Sequence, residues 1–107
     1  MKNTIAITRK GIISTLRKHR TVLKRYKVRR IGLFGSYVSG KPHKRSDIDL
    51  LVEFEEPTFD RFMDLTADLE QLFGKEVDIL TPEGIRGIRI KSVAQHIKKN
   101  MLYVSTI

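Results

Sequence analysis

The run Asp47-Ile48-Asp49-Leu50-Leu51-Val52-Glu53-Phe54 constrains this chain more than any other stretch. It is mostly apolar and is broken by Glu55-Glu56-Pro57, so it reads as a β-strand. It begins with two carboxylates separated by a single apolar residue. On a strand, positions i and i+2 point to the same face, about 6.6 Å apart along the chain. Two charges at the start of an apolar strand are costly unless a cation or solvent compensates them. Taken alone, the triplet leaves both readings open. Most Asp-x-Asp triplets are solvated, and some reach together toward one divalent ion.

Around this strand the periodicity predicts α-β-β-α-β-α, a single mixed α/β domain in which a short sheet packs against helices. Thr8 can cap a helix running to about residue 27, with Ile12, Ile13, Leu16, Leu23 and Tyr26 on one face and Lys and Arg on the other. Arg30-Ile31-Gly32-Leu33-Phe34 reads as a buried strand ending at Gly35-Ser36. Residues 37–46 are polar, contain Gly40 and Pro42, and read as a loop with room for one helical turn. A second helix starts at Thr58 or Asp60. Its core stripe is Phe62, Leu65, Leu69, Leu72 and Phe73, and Gly74 lies just past its end. Asp60, Asp64, Asp68 and Glu70 read as its solvated face. Val77-Asp78-Ile79-Leu80 is a third strand, stopped by Thr81-Pro82. The tail looks helical around residues 91–99, and Met101-Leu102-Tyr103-Val104 reads as a last strand or helix end.

Length and composition remove whole classes of function. A chain of 107 residues fits one domain. It has no cysteine, which excludes disulfide scaffolds, thiolate zinc sites and cysteine nucleophiles. It has no apolar run of membrane-spanning length and no signal-peptide pattern at its start, so a cytoplasmic protein is expected. His19, His43 and His96 make no metal-ligand spacing. The formal net charge is +9, but it is segregated. Residues 1–46 hold 14 basic residues and no acidic one, whereas all 12 acids fall between Asp47 and Glu83. The acids therefore begin abruptly at the strand just described. Without a nucleic-acid motif, the basic half predicts at most non-specific polyanion affinity.

Two further features lie close to the carboxylate pair. Gly35-Ser36 follows a strand. Such a pair is usually a turn, but it also suits phosphate, because glycine lets the backbone approach, free N–H groups point at the anion, and the serine adds a donor. The following loop carries Lys41, His43, Lys44 and Arg45, which are either an exposed basic loop or neutralisers of a polyphosphate. Asp78 sits in an otherwise apolar strand and points away from Val77 and Ile79. If that strand neighbours the first, Asp78 lies about 4.8 Å from it and joins Asp47 and Asp49 in a three-carboxylate cluster. Such a cluster cannot stay fully ionised without cations, and oxygen-only ligands suit Mg²⁺ or Mn²⁺.

Gly35-Ser36, a ten-residue spacer, Asp47-Ile48-Asp49 and a later strand Asp together resemble the motif of the nucleotidyltransferase superfamily that includes DNA polymerase β. Leu33-Phe34-Gly35-Ser36, Ser46 through Phe54, and Lys75-Glu76-Val77-Asp78-Ile79-Leu80-Thr81-Pro82 carry the resemblance, which covers about residues 12–104. The short length is similar to the minimal nucleotidyltransferases, the MNT proteins. The resemblance implies a single nucleotidyltransferase-type domain. It also implies transfer of a nucleoside monophosphate, AMP from ATP or another NTP, to an acceptor hydroxyl. By the same resemblance Asp47 and Asp49 hold two Mg²⁺ ions, Asp78 completes one metal site and helps deprotonate the acceptor, and Gly35 and Ser36 hold the triphosphate. Lys44 and Arg45 are expected phosphate neutralisers. One departure stands out: the Arg that many members place after Gly-Ser is absent from Tyr37-Val38-Ser39-Gly40.

The resemblance further implies a helical HEPN toxin as partner, with the MNT chain as antitoxin. Two alternatives remain open. One is a catalytically weak antitoxin that neutralises by binding. The other is nucleotidyl transfer to RNA or a small molecule.

Overall fold

The computed structural model describes residues 7–39, 47–89 and 91–106. In chain order the elements are α1 (Arg9–Lys18), α2 (Arg20–Arg25), β1 (Val28–Phe34), α3 (Ser36–Ser39), β2 (Ile48–Phe54), α4 (Phe59–Phe73), β3 (Val77–Leu80), α5 (Pro82–Arg86), α6 (Lys91–Lys99) and β4 (Leu102–Thr106). The strands form one mixed sheet in the order β3-β2-β1-β4. β1 pairs antiparallel with β2 and β4, and β2 pairs parallel with β3.

The local chemistry sets most boundaries. Thr8 caps α1 by accepting from the Gly11 N–H at 3.0 Å, and Thr58 caps α4 through the Arg61 N–H at 3.1 Å. Gly74 ends α4 in the left-handed region, where its N–H donates to Glu70 O. The single basic helix expected from the sequence is two. It breaks at His19, whose ring Nδ1 lies 2.9 Å from Thr15 O and so contacts a carbonyl of the preceding turn. β1 begins two residues earlier than expected, at Val28, across an irregularity in its pairing with β2. α5 is a helix the sequence reading lacked. Thr81 caps it through the Gly84 N–H and Pro82 occupies its first turn.

The sheet separates core from site. Ile48, Leu50 and Val52 on β2, with Ile31 and Leu33 on β1, are fully buried against Ile12 and Leu16 of α1, Leu23 of α2 and Leu65 of α4. Alternation sends Asp49, Leu51 and Glu53 to the opposite face. There α5 covers Leu51 through Ile85, while Glu53 pairs across the strands with Arg30 at 3.1 Å. Among the described residues, no helix is long and apolar enough to cross a membrane.

Candidate active site

The parallel register of β2 and β3 aligns Asp49 directly with Asp78, between the apolar pairs Ile48–Val77 and Leu50–Ile79. Apolar packing on one face therefore fixes the carboxylates on the other. Asp47 lies one residue before β2, and the next backbone N–H, of Ile48, donates to Glu76 O at 3.1 Å. That bond ties the approach to β2 to the approach to β3.

These groups burden one another electrostatically. Burial raises Asp49 from 3.8 to about 6, and the charges of Asp78 and Asp47 add to the rise. Asp78 is also raised, first by burial, then by the charge and hydrogen bond of Asp47, then by Glu70. Glu70 was expected on a solvated face with Asp60, Asp64 and Asp68. It is instead half-buried and accepts from the Val77 N–H at 3.1 Å, bracing β3 one residue before Asp78. Asp68 is exposed but accepts from the Tyr26 hydroxyl. Only Asp60 and Asp64 match the bland reading in full, as exposed groups without ion pairs among those described.

β1 delivers the glycine turn to the same place. Its last residue, Phe34, is in register with Asp49, so Gly35 follows beside that carboxylate. Gly35 has φ +82, and a Cβ there would overlap Asp49 Oδ2 and lie 2.9 Å from its Cγ. No residue with a side chain fits between turn and carboxylate without displacing Asp49. Beyond the turn, Gly35 O accepts from the N–H groups of Val38 and Ser39, both at 3.0 Å, forming the short α3. The Arg9 guanidinium donates to Tyr37 O at 3.3 Å and Val38 O at 3.2 Å, holding the far end of α3.

A cleft of about 390 Å³ opens beside the turn, lined by Phe34, Gly35, Ser36, Ser39, His96, Ile97 and Asn100. His96 and Asn100 come from α6 and the turn after it, and Asn100 Nδ2 donates to His96 O at 2.9 Å. In the sequence His96 is one of three scattered histidines, and nothing there singles out Asn100. Nothing in local spacing announces that α6 folds over the glycine turn. Lys44 and Arg45, the expected phosphate neutralisers, lie outside the described residues, as do Lys41 and His43.

Among the described residues, no three His, Asp or Glu side chains stand as a finished metal cage. The donor set nevertheless fits a hard divalent cation. It is all oxygen, it is crowded enough to hold two carboxyls above their usual range, and it adjoins a turn suited to phosphate. Mg²⁺ is usually held by one or two carboxylates, with substrate phosphates and water completing its shell, not by a closed protein cage.

The family model of the nucleotidyltransferase domain matches residues 16–104, which include the turn and all three carboxylates. The chain belongs to the nucleotidyltransferase family. The protein adenylyltransferase MntA of Thermococcus cleftensis is 37% identical over 100 residues, covering 92% of this chain and 97% of that protein. A solved structure assigned as a minimal nucleotidyltransferase superposes with a TM-score of 0.71 at 26% identity, covering 91% of this chain and 96% of the other. An MNT antitoxin in complex with a tri-AMPylated HEPN toxin of Shewanella oneidensis shares the fold, with a TM-score of 0.62 at 18% identity, and covers 94% of this chain and 74% of that one. In this nucleotidyltransferase the expected α/β architecture is present. Its third carboxylate stands on the neighbouring strand, where the expected cluster needs it.

Proposed function

We propose that this nucleotidyltransferase transfers AMP from ATP to a hydroxyl of a partner protein, acting as the antitoxin of a pair whose toxin is a helical HEPN-type protein. One observation carries the reading. Asp49 and Asp78 stand in register on adjacent parallel strands, with Gly35 pressed against the Asp49 carboxylate and itself lining a cleft that also presents Ser36, Ser39, His96 and Asn100. The protein acceptor is supported by the adenylyltransferase relative, which matches this chain over nearly its whole length. The HEPN partner is supported by the MNT antitoxin of the same fold.

In this reading the triphosphate lies in the cleft beside Gly35 and Ser36, where the glycine admits close backbone approach and the Ser36 hydroxyl donates. Asp47 and Asp49, with Asp78 at the edge, would hold Mg²⁺, which supplies charge neutralisation across the phosphates when bound. The acceptor oxygen forms a bond to the α-phosphorus, the bond from that phosphorus to the β-phosphate bridging oxygen breaks, and pyrophosphate leaves. Asp78 takes the acceptor proton. It is the most exposed of the three carboxylates, and its affinity for a proton is raised by its neighbours. Phosphoryl-type transfer of this kind depends mainly on positioning and charge stabilisation; the register-fixed carboxylates provide the positioning, and the cation they would hold would supply the charge stabilisation.

The test is transfer of label from α-labelled ATP to the co-expressed helical partner in the presence of Mg²⁺. Asp49→Asn is expected to lower the rate by at least about a hundredfold while the complex still forms. Wild-type rates in that variant, or no transfer by the wild type from any nucleoside triphosphate, would contradict the reading.

A further inference from the structure

A cleft away from the carboxylates lies on the outer face of α1 and the start of α2. It is shallow, about 690 Å³, and is lined by Lys10, Ile13, Ser14, Arg17, Lys18 and Arg20. Lys10, Ser14, Arg17 and Lys18 follow i, i+4, i+7, i+8 spacing, so they fall within about 100° of one another on the helix. They lie opposite Ile12 and Leu16, which are wholly buried in the core. Arg20 continues the ridge past the break at His19. The four cations are exposed and make no ion pair among the described residues. No acidic residue occurs anywhere between residues 9 and 25. Arg9, the remaining cation of the first turn, is committed to the carbonyls of α3.

We infer that this face binds the phosphate backbone of nucleic acid without reading its sequence. Three kinds of anionic partner must be distinguished. An anionic membrane attracts each Lys or Arg by only about 1 kcal/mol and is held stably only with a second, apolar signal, whereas Ile12 and Leu16 on the apolar face of α1 are buried in the core. An acidic protein surface ordinarily needs a desolvated apolar or aromatic centre, and this cleft offers only Ile13. A polyphosphate needs neither. Its affinity comes from counterion release, for which unpaired Lys and Arg along a ridge suffice. From Lys10 to Lys18 the ridge extends about 12 Å, and duplex nucleic acid carries one charge per about 1.7 Å of axis, so several phosphates pass along it. No aromatic residue lines the cleft, so bases have nothing on which to stack and no preference among them is expected. The ridge is separate from the carboxylate site, and the inference does not depend on the proposed adenylyl transfer.

The experiment is fluorescence anisotropy with a labelled RNA hairpin and a DNA hairpin of the same sequence, using the full chain without ATP or partner protein. About four neutralised phosphates predict a slope of about −3 to −4 in log K against log salt, a loss of roughly a hundredfold between 50 and 200 mM. RNA and DNA should bind alike. The variant Lys10→Gln/Arg17→Gln/Lys18→Gln should melt at the wild-type temperature, reduce the slope by about three and weaken binding at 50 mM by at least about tenfold. Binding that is independent of salt, unchanged in the triple variant, or displaced by polyglutamate as readily as by RNA of equal charge would overturn the inference. Failure here leaves the transfer assay untouched, and loss of transfer leaves the hairpin assay untouched.

Discussion

The carboxylate end of the sheet and the cationic ridge of α1–α2 both concentrate like charge, and they hold it in opposite ways. Asp49 and Asp78 are brought together by the register of two strands and crowded until both resist ionisation. Gly35 leaves no space beside them. Lys10, Arg17, Lys18 and Arg20 stand exposed on helices whose core contacts are made by Ile12, Leu16 and Leu23. At the first region function depends on position to within a fraction of an ångström. At the second it depends on a sum of charges, any one of which is replaceable. Substitution should therefore be drastic at the sheet and graded at the helix.

Gly35→Ala should produce the largest effect that sharpens this contrast. The new Cβ must displace the Asp49 carboxylate, and φ +82 is strained for any residue with a side chain. Misplacing a reacting group by about 1 Å costs on the order of a hundredfold in rate, and the backbone strain about 1–3 kcal/mol of stability. Kinetics and thermal melting of the same variant check both. Near-normal transfer in this variant would break the contrast, because it would mean that the carboxylates tolerate displacement.

A smaller effect is expected from pH. Asp49 is raised to about 6 in the fold, while an ordinary Asp, at 3.8, represents the unfolded chain. The folded state therefore binds its proton more tightly. The stability this contributes is fully present below about pH 4 and is lost as pH rises through about 6. Melting followed across that window without divalent ions should fall with rising pH, and Asp49→Asn should flatten the fall. Partial solvent access at the site keeps the change modest.

Much of this design was legible in the sequence because it is local. The Thr58 and Gly74 caps, the stripe of α4, and the four residues of β3 follow from period and end signals and stand where expected. An isolated acid in an apolar strand faces away from Val77 and Ile79, and its joining Asp47 and Asp49 depends on β3 neighbouring β2, which the parallel register provides. What escaped was either a competing local bond or a long-range contact. The break at His19, where φ −102 and ψ 19 leave the helical range, is one that hydrophobic period cannot register, since Leu16 and Leu23 fit one continuous helix equally well. Thr81-Pro82 reads as a strand stop, but Thr before Pro is also a helix start, and α5 begins there. Glu70 resembles its exposed neighbours in sequence and differs only in reaching Val77 N–H. His96 and Asn100 reach the glycine turn only because β4 pairs with β1 and draws α6 across it.

The most direct test of the central claim, that the register of β2 and β3 builds a metal–nucleotide site, needs no acceptor. Thermal melting of the wild type and of Asp49→Asn should be followed with Mg²⁺ alone, with a non-hydrolysable ATP analogue alone, and with both. The predicted result is a rise in melting temperature for the wild type that is largest with both ligands together, and little or no rise for Asp49→Asn under the same conditions. An equal rise in the two proteins, or a wild-type response to the analogue that Mg²⁺ does not enhance, would contradict it.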